Sequence, residues 1–519
     1  MKNNWIYVLI VGVLFTLIYT MIFDAKLDLN GDNAHYLTLA KNISGGLGYS
    51  NVTPNGTIPA SHFPPGYSAF LSVFMLLGIH SLVFFKVLNG ILFFISLAGI
   101  FYLLCKITSN QVLAFVCTLL AVFSPQALQF SSMVMSEMLF LFCSVVCLYA
   151  LYKYCTLEKG ISRFRISLWL CTVIVFAACA YYVRAAGIAL IFAIVIFFLF
   201  RKQWLRGIAV GGGILLLLLP WWIRNRAIGI ESRYFGTMMT VNPWRPEEGS
   251  ISSVGEFIRK MIANFDETVI KGFKEILFPF IPVNYEVNSG IFQIIAGLLL
   301  LGIILYGAWN LKPLKWVFIA YLLGQIGLFM LWHGGNESRY VVPIAPFIIV
   351  CFYIGLYCLV PSRVKGAPKT VSYLPYVFLV MVFLLWPPIK TLSVKAKDPY
   401  PPAFANYFTM AIEMQKQLPK NTVCCCRKPE FFTYFAPDLY AINYLYSIEP
   451  QEVIKDLIDK NVEYVVLEQL GYASTVRYLY PAILANEELF ELVWRLPNPD
   501  TYLFKFNREQ AIKKLAKSD

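Results

Sequence analysis

Eleven runs of apolar residues follow one another along 519 residues, and they leave few alternatives to a bundle of membrane helices. They fall near 5–23, 82–104, 111–129, 134–152, 166–183, 185–200, 207–223, 289–310, 315–332, 341–360 and 371–389. About 20 apolar residues cross the hydrocarbon core as a helix, and a backbone in lipid has to satisfy its own polar groups. Charged residues make up only 14% of the chain, against roughly 25% in soluble domains. No small-residue cleavage site follows Trp5 to Phe23, so that run reads as an uncleaved first helix. Tyr67 to Ile79 is too short for a comfortable span and reads as an interfacial helix.

Basic residues cluster at every second connector: Lys106; Lys153, Lys159, Arg163 and Arg165; Arg201, Lys202 and Arg206; Lys312 and Lys315; Arg363, Lys365 and Lys369. With Lys2, this alternation places the amino terminus in the cytoplasm and the carboxyl-terminal region outside. Lys390, Lys395 and Lys397 run against the rule. Much of the net charge of +13 lies in these short loops, which excludes nucleic acid as its explanation and leaves membrane lipids as the neighbours. Residues 1–395 form the membrane domain, with outer loops at 24–81 and 224–288. Within the second loop Phe257, Ile258, Met261, Ile262 and Phe265 have the spacing of an amphipathic helix at the interface. Residues 396–519 read as a small extracytoplasmic α/β domain, with strands at Val423 to Cys426, Tyr464 to Leu467 and Tyr502 to Phe506 and a helix from Pro450 to Lys460. Cys424, Cys425 and Cys426 belong to a buried strand, because consecutive strand residues face opposite ways and no histidine follows at ligand spacing.

The polar residues then separate by side. Asp28, Asp32, His35, Tyr36 and His62-Phe-Pro64-Pro65 lie in the first outer loop, and Ser136-Glu137 at the outer mouth of the fourth span. Arg184 tops the fifth and sixth spans, Arg224-Asn225-Arg226 follow the seventh, and His333, Glu337, Arg339 and Tyr340 fill the turn after the ninth. None of these set the orientation, yet all fall outside, which an outward-facing active site explains. Ionisable groups at a membrane are costly and count as functional candidates by default. Arginines suit a phosphate leaving group on which charge builds. A carboxylate suits an acceptor hydroxyl, whose proton it takes or which it holds in line. Carboxylates and imidazoles in one loop suit a divalent ion such as Mg, Mn or Zn. Plainer readings stand beside these. Asp32 after Asn30-Gly31 is also placed to cap a helix from Asn33 to Ile43, and both roles can hold. Asp28 and Asp32 share a face only if the loop is helical there. His35 also reads as a helix-surface residue, Glu137 as a helix-dipole partner and Arg184 as a snorkelling side chain. His62 is fixed by its rigid neighbours Pro64 and Pro65.

In this order the residues resemble the GT-C glycosyltransferases of the protein O-mannosyltransferase and aminoarabinose (lipid A) transferase type. Asp32-Asn-Ala-His-Tyr36-Leu-Thr-Leu-Ala40 is similar to that family's first-loop motif, and His62-Phe-Pro-Pro65 to its Lys-Pro-Pro segment. Ser136-Glu137, Arg184-Ala-Ala-Gly187, Pro220-Trp-Trp-Ile-Arg-Asn225 and Glu337-Ser-Arg-Tyr340 through Pro343 and Pro346 are similar to further recurring patterns. The resemblance implies a polytopic α-helical GT-C fold with about 11 transmembrane helices and a small carboxyl-terminal α/β domain. It implies an inverting hexosyl- or pentosyltransferase of the cell envelope, moving a sugar from a polyprenyl-phosphate donor to a lipid, glycan or protein acceptor. The expected setting is the bacterial inner membrane, with the site and the carboxyl-terminal domain periplasmic. Asp32 takes the place of the catalytic aspartate and His62 that of a metal-ligating glutamate. Arg184, Arg224 and Arg339 are candidates for the donor phosphate. Two departures stand out: Asn33 replaces a second acid, for which Asp28 is the candidate substitute, and Phe63 replaces the lysine before the prolines.

An oligosaccharyltransferase would share the fold, but Trp221-Trp222 is followed by Ile223-Arg224 rather than an aspartate. A polysaccharide (O-antigen-type) polymerase would need neither the Asp28/Asp32 pair nor a sizeable carboxyl-terminal domain. A non-enzymatic polyprenyl-lipid transporter or flippase would place ionisable residues near the middle of broken spans, whereas here they sit at the rim.

Overall fold

The computed structural model describes residues 4–157, 163–229, 233–332, 337–360 and 370–516. Every one of the eleven apolar runs is helical in it. In chain order the helices are α1 (Asn4–Ile22), α2 (Asp32–Ser44), α3 (Gly66–Leu76), α4 (Leu82–Thr108), α5 (Gln111–Val122), α6 (Pro125–Ser131), α7 (Glu137–Leu157), α8 (Arg163–Val183), α9 (Gly187–Phe200) and α10 (Trp204–Ala227). They continue with α11 (Arg233–Met239), α12 (Val254–Phe265), α13 (Phe273–Leu277), α14 (Ile291–Asn310), α15 (Lys315–Leu331), α16 (Ala345–Leu359), α17 (Thr370–Phe378) and α18 (Val380–Lys395). Among the described residues eight helices are long and apolar enough to cross a membrane, and α5 with α6 makes a ninth span bent by 65°. The two remaining runs are the shorter apolar helices α9 and α15, of 14 and 17 residues. The bend has a local cause. Pro125 opens α6 while the Ser124 hydroxyl accepts from the Ala127 amide, so α5 cannot continue through this point.

Helix α14 lies hard against α16. A Cβ placed on Gly307 would sit 1.7 Å from the Cys351 carbonyl oxygen, and one on Gly355 would sit 2.2 Å from the Ile303 carbonyl oxygen. Small residues let helix backbones approach in lipid, where the hydrophobic effect gives no driving force between helices. Around the membrane core many apolar side chains stay exposed, as a lipid-facing surface requires, among them Leu205, Ile208 and Leu216 on α10. Helix α12 leaves Val254, Ile258 and Ile262 uncovered in a row, the face expected to lie at the interface.

The loop over 24–81 holds, besides α2 and α3, a hairpin of β1 (Ser50–Thr53) and β2 (Gly56–Pro59), which the sequence reading did not anticipate. The carboxyl-terminal region adds α19 (Pro402–Gln417), β3 (Val423–Cys425), α20 (Pro429–Phe435), β4 (Tyr440–Ile442), α21 (Pro450–Asp459), β5 (Tyr464–Leu467), α22 (Tyr480–Leu484), β6 (Phe490–Leu496), β7 (Thr501–Phe506) and α23 (Arg508–Leu515). Its sheet has the order β4-β3-β5-β7-β6, parallel through β4, β3 and β5 and antiparallel beyond. The cysteine run behaves as strand geometry demands. Cys424 and Cys426 face the core that continues into the membrane domain, while Val423 and Cys425 face a second core under α21 and α22.

Candidate active site

Gly31 begins the site. Its φ of 95° turns the chain sharply into α2 and makes it the residue that precedes the helix. Asp32 is therefore the first helical residue and not its cap, a correction to the sequence expectation, and its carboxylate is released from capping. Asn33, the residue found where a second acid was expected, is structural. It accepts from the Gly31 amide at 3.2 Å and donates to the Asp28 carbonyl at 2.9 Å, which holds the loop in shape.

The freed Asp32 carboxylate meets Arg339, 307 residues further along, which donates to it through Nη2 and to Asn30 Oδ1 at 3.1 Å through Nη1. Both side chains keep about a quarter of their surface exposed, 26% for Asp32 and 25% for Arg339. Burial pushes the Asp32 carboxyl up, but the Arg339 charge and hydrogen bond, with His62 and Lys428 behind them, outweigh it and hold the group below the usual carboxylate range. Asp32 is thus ionised at neutral pH, held in place, and open on one side.

Further along α2 a second acid–base pair forms. Glu137 is fully buried and accepts from Arg184 Nη1 at 2.6 Å; the same nitrogen lies 3.0 Å from Ser136 Oγ, to which Tyr36 donates at 3.3 Å. This chain ties α2 to the start of α7 and to the α8–α9 junction. Tyr36 stacks on Phe63 at 4.4 Å and meets Tyr67 edge-on at 4.9 Å. Buried Pro64 and half-buried Pro65 lead into α3, and His62 stays exposed with its ring 5.6 Å from that of His35. His35 Nε2 is 3.2 Å from Asn51 Oδ1 on β1.

Asp28 takes a different place from the one sought for it. It pairs with Lys86 of α4 at 3.2 Å, and Lys86, wholly buried, also donates to the Asp24 carbonyl at 2.9 Å and to the Lys26 carbonyl. Burial raises the Asp28 carboxyl to about 6, with Lys86 only partly opposing the shift. Asp28 and Asp32 thus serve separate ion pairs. Arg224 is also drawn away from an acid: it donates to the Tyr49 carbonyl and to Asn225 Oδ1, each at 3.0 Å, and lies over the rings of Trp221 and Tyr49. Tyr340 accepts from the Trp332 indole at 2.8 Å and stacks near Phe329. Glu337 and Arg339 share one short helical turn, Glu337–Tyr340. The Glu337 side chain and His333 lie outside the described residues.

Sequence reasoning missed Arg427 and Lys428. They follow β3 at its carboxyl end, where a parallel sheet ordinarily presents its ligand-facing residues. Arg427 is buried, donates to Ser474 Oγ at 2.6 Å and faces the rings of Tyr472, Tyr446 and, from the loop over 224–288, Trp244. Glu247 of that loop accepts from Arg477 at 2.5 Å and from the Tyr478 hydroxyl at 2.8 Å. Lys428 reaches the first loop, 3.4 Å from the Asn30 carbonyl. A Cβ on Gly31 would lie 3.2 Å from its ammonium nitrogen, so Gly31 serves the approach of Lys428 as well as the turn. The carboxyl-terminal region therefore meets the loop over 24–81 beside Asp32 and is clamped to the loop over 224–288.

Among the described residues no group of three or more His, Cys, Asp or Glu converges at ligand spacing. His35 is engaged by Asn51 and Asp32 by Arg339. As they stand, the described residues do not assemble a divalent-ion site around His62.

No family model and no curated protein matches the chain. Among solved structures it is similar to the crystal structure of ArnT from Cupriavidus metallidurans bound to undecaprenyl phosphate. The TM-score is 0.53 at 12% identity, over 97% of this chain and 98% of that one. At that identity the likeness establishes the fold. It is an ArnT-like fold, polytopic and helical with a small carboxyl-terminal sheet region, as the sequence led one to expect.

Proposed function

We propose that this chain, folded as ArnT is, is a membrane glycosyltransferase that uses a polyprenyl-phosphate-linked sugar and transfers it on the outer face of the membrane. The observation that carries this reading is the Asp32–Arg339 pair, an ionised and partly open carboxylate set beside further cations at the end of the spans. The neighbour's bound undecaprenyl phosphate supports the donor class. The distribution of charge speaks against a transporter. Glu137 is the first residue of α7 and Lys86 the fifth of α4, and the bent span α5–α6 carries no Asp, Glu, Lys or Arg.

In the proposed step an acceptor oxygen attacks the anomeric carbon from the face opposite the phosphate. The bond from that carbon to the phosphate oxygen breaks, its electron pair stays on the phosphate, and the configuration inverts. An acceptor hydroxyl is held by Asp32 and gives its proton to that carboxylate; an acceptor phosphate has no proton to give, and Asp32 then orients it through Arg339. Growing charge on the leaving phosphate is met by cations already in place, which do not have to reorganise during reaction. Acceptors of lipid, glycan and protein type remain within this reading.

The test is release of free polyprenyl phosphate from a panel of polyprenyl-phosphate sugars in the presence of cell-envelope extract. Wild type is expected to consume at least one donor, and Asp32→Asn to be slower by roughly two to four orders of magnitude. Donors left intact across the panel, or an Asp32→Asn protein as fast as wild type, would overturn it and bring the polymerase reading forward.

A further inference from the structure

Three cations at the site are each matched by an acid: Arg339 by Asp32, Arg184 by Glu137 and Lys86 by Asp28. Lys428 is a fourth, half-buried at the junction of the two domains, and no described carboxylate forms an ion pair with it. Its polar contact is the long one to the Asn30 carbonyl, and its ammonium lies 5.1 Å from the Tyr472 ring centroid. Burial pushes its ammonium below the usual lysine range; Glu430 and then Asp32 oppose that shift, while Arg427 and Arg339 add to it. Holding an ammonium half-buried beside two arginines, without an ion pair of its own, costs stability, and an anionic ligand would offset that cost. Arg224, also without a described ion pair, is committed to Tyr49, Asn225 and two rings.

From this charge balance we propose that Lys428, delivered by the carboxyl-terminal domain, binds the phosphate of the polyprenyl donor beside Asp32 and Arg339. The inference rests on the function proposed above and deepens it: the transferase site is complete only when both domains are in place. The anion fits at the Nζ atom because a lysine gives a mobile point charge with three donors, suited to a phosphate that gains charge as the sugar leaves.

The experiment measures binding of undecaprenyl phosphate to the purified full-length protein in detergent, for wild type, Lys428→Met, Lys428→Arg and Asp32→Asn. Lys428→Met is expected to weaken binding about ten- to a hundredfold, the range of a hydrogen bond to a charged group. Lys428→Arg is expected to recover most of it. In turnover, the methionine variant is expected to raise KM for the donor and leave KM for the acceptor unchanged, a split that a merely structural lysine would not give. Equal binding by wild type and Lys428→Met overturns the inference alone, as does a rise confined to the acceptor KM. Failure of wild type to bind undecaprenyl phosphate or to consume any donor overturns the underlying function as well. If Lys428→Met unfolds in detergent, the comparison passes to Lys428→Gln, with the same outcomes.

Discussion

Removing Arg184 while leaving Glu137 in place strands a charge. Glu137 has no exposed surface, accepts from Arg184 at 2.6 Å, and has its second oxygen, Oε2, without a described hydrogen bond. Two unit charges about 4 Å apart attract by about 4 kcal/mol at an effective dielectric constant near 20. Breaking a buried pair from one side typically costs about 3–5 kcal/mol, because the remaining ion has lost its water and gained nothing. Arg184→Met should therefore destabilise the chain by that amount. The double variant Glu137→Met/Arg184→Met should recover most of the loss, since two apolar groups of similar volume often replace a buried pair at little net cost. Chemical unfolding in detergent, followed through the fluorescence of the 11 tryptophans, gives the three differences and the coupling energy. If Arg184→Met unfolds within about 0.5 kcal/mol of wild type, or if the double variant is no better than the single, Arg184 is not the partner of Glu137. Arg184 would then return as a residue for the donor phosphate.

Asp28 predicts a pH limb of defined sign. Its carboxyl rises from 3.8 to about 6 on folding, so the folded chain holds that proton more tightly than the unfolded one. The contribution is most favourable below about pH 4 and is lost as pH climbs to about 6. Two units correspond to roughly 3 kcal/mol, read as the stability difference between wild type and Asp28→Asn across that range. A difference that stays flat from pH 4 to 7 would mean that Asp28 does not titrate in this way. Gly307→Ala should push α14 from α16 and cost about 1–3 kcal/mol, because the new methyl would meet the Cys351 carbonyl; an unchanged unfolding midpoint would mean the helices have room. Glu247→Gln should weaken the clamp between the second outer loop and the carboxyl-terminal domain. It should be seen as faster proteolysis of residues 240–250, with the membrane helices still intact.

The spans were legible because apolar length alone decides whether a helix can sit in lipid. Asp32, Glu137, Arg184 and Arg339 were legible as residue types gathered on one side. Their pairing was not, since nothing local joins residue 32 to residue 339. The capping role expected of Asp32 failed at Gly31, whose positive φ moves the helix start by one position. Lys86 was hidden inside an apolar run and read as part of a span, although a lone lysine there was itself the signal. Pro54-Asn55-Gly56 carried a turn signature that would have found the β1–β2 hairpin. Arg427 and Lys428 looked like ordinary surface charge on a soluble tail. Only the folded chain shows that Lys428 reaches the first loop at Asn30, while Arg427 turns to Ser474 and the rings of Tyr472, Tyr446 and Trp244.

The dependence on Lys428 has a consequence for biosynthesis. The first loop is made early, but the segment after β3 follows all the spans. At about 5–20 residues per second, some 400 residues separate Asp32 from Lys428 by roughly 20 to 80 s. For most of that interval the ribosome-bound chain carries Asp32 without Arg339, and for the last part of it the pair without Lys428. A nascent chain so built stays idle while half made, and a message cut short before β3 yields a membrane protein with no complete site for the donor.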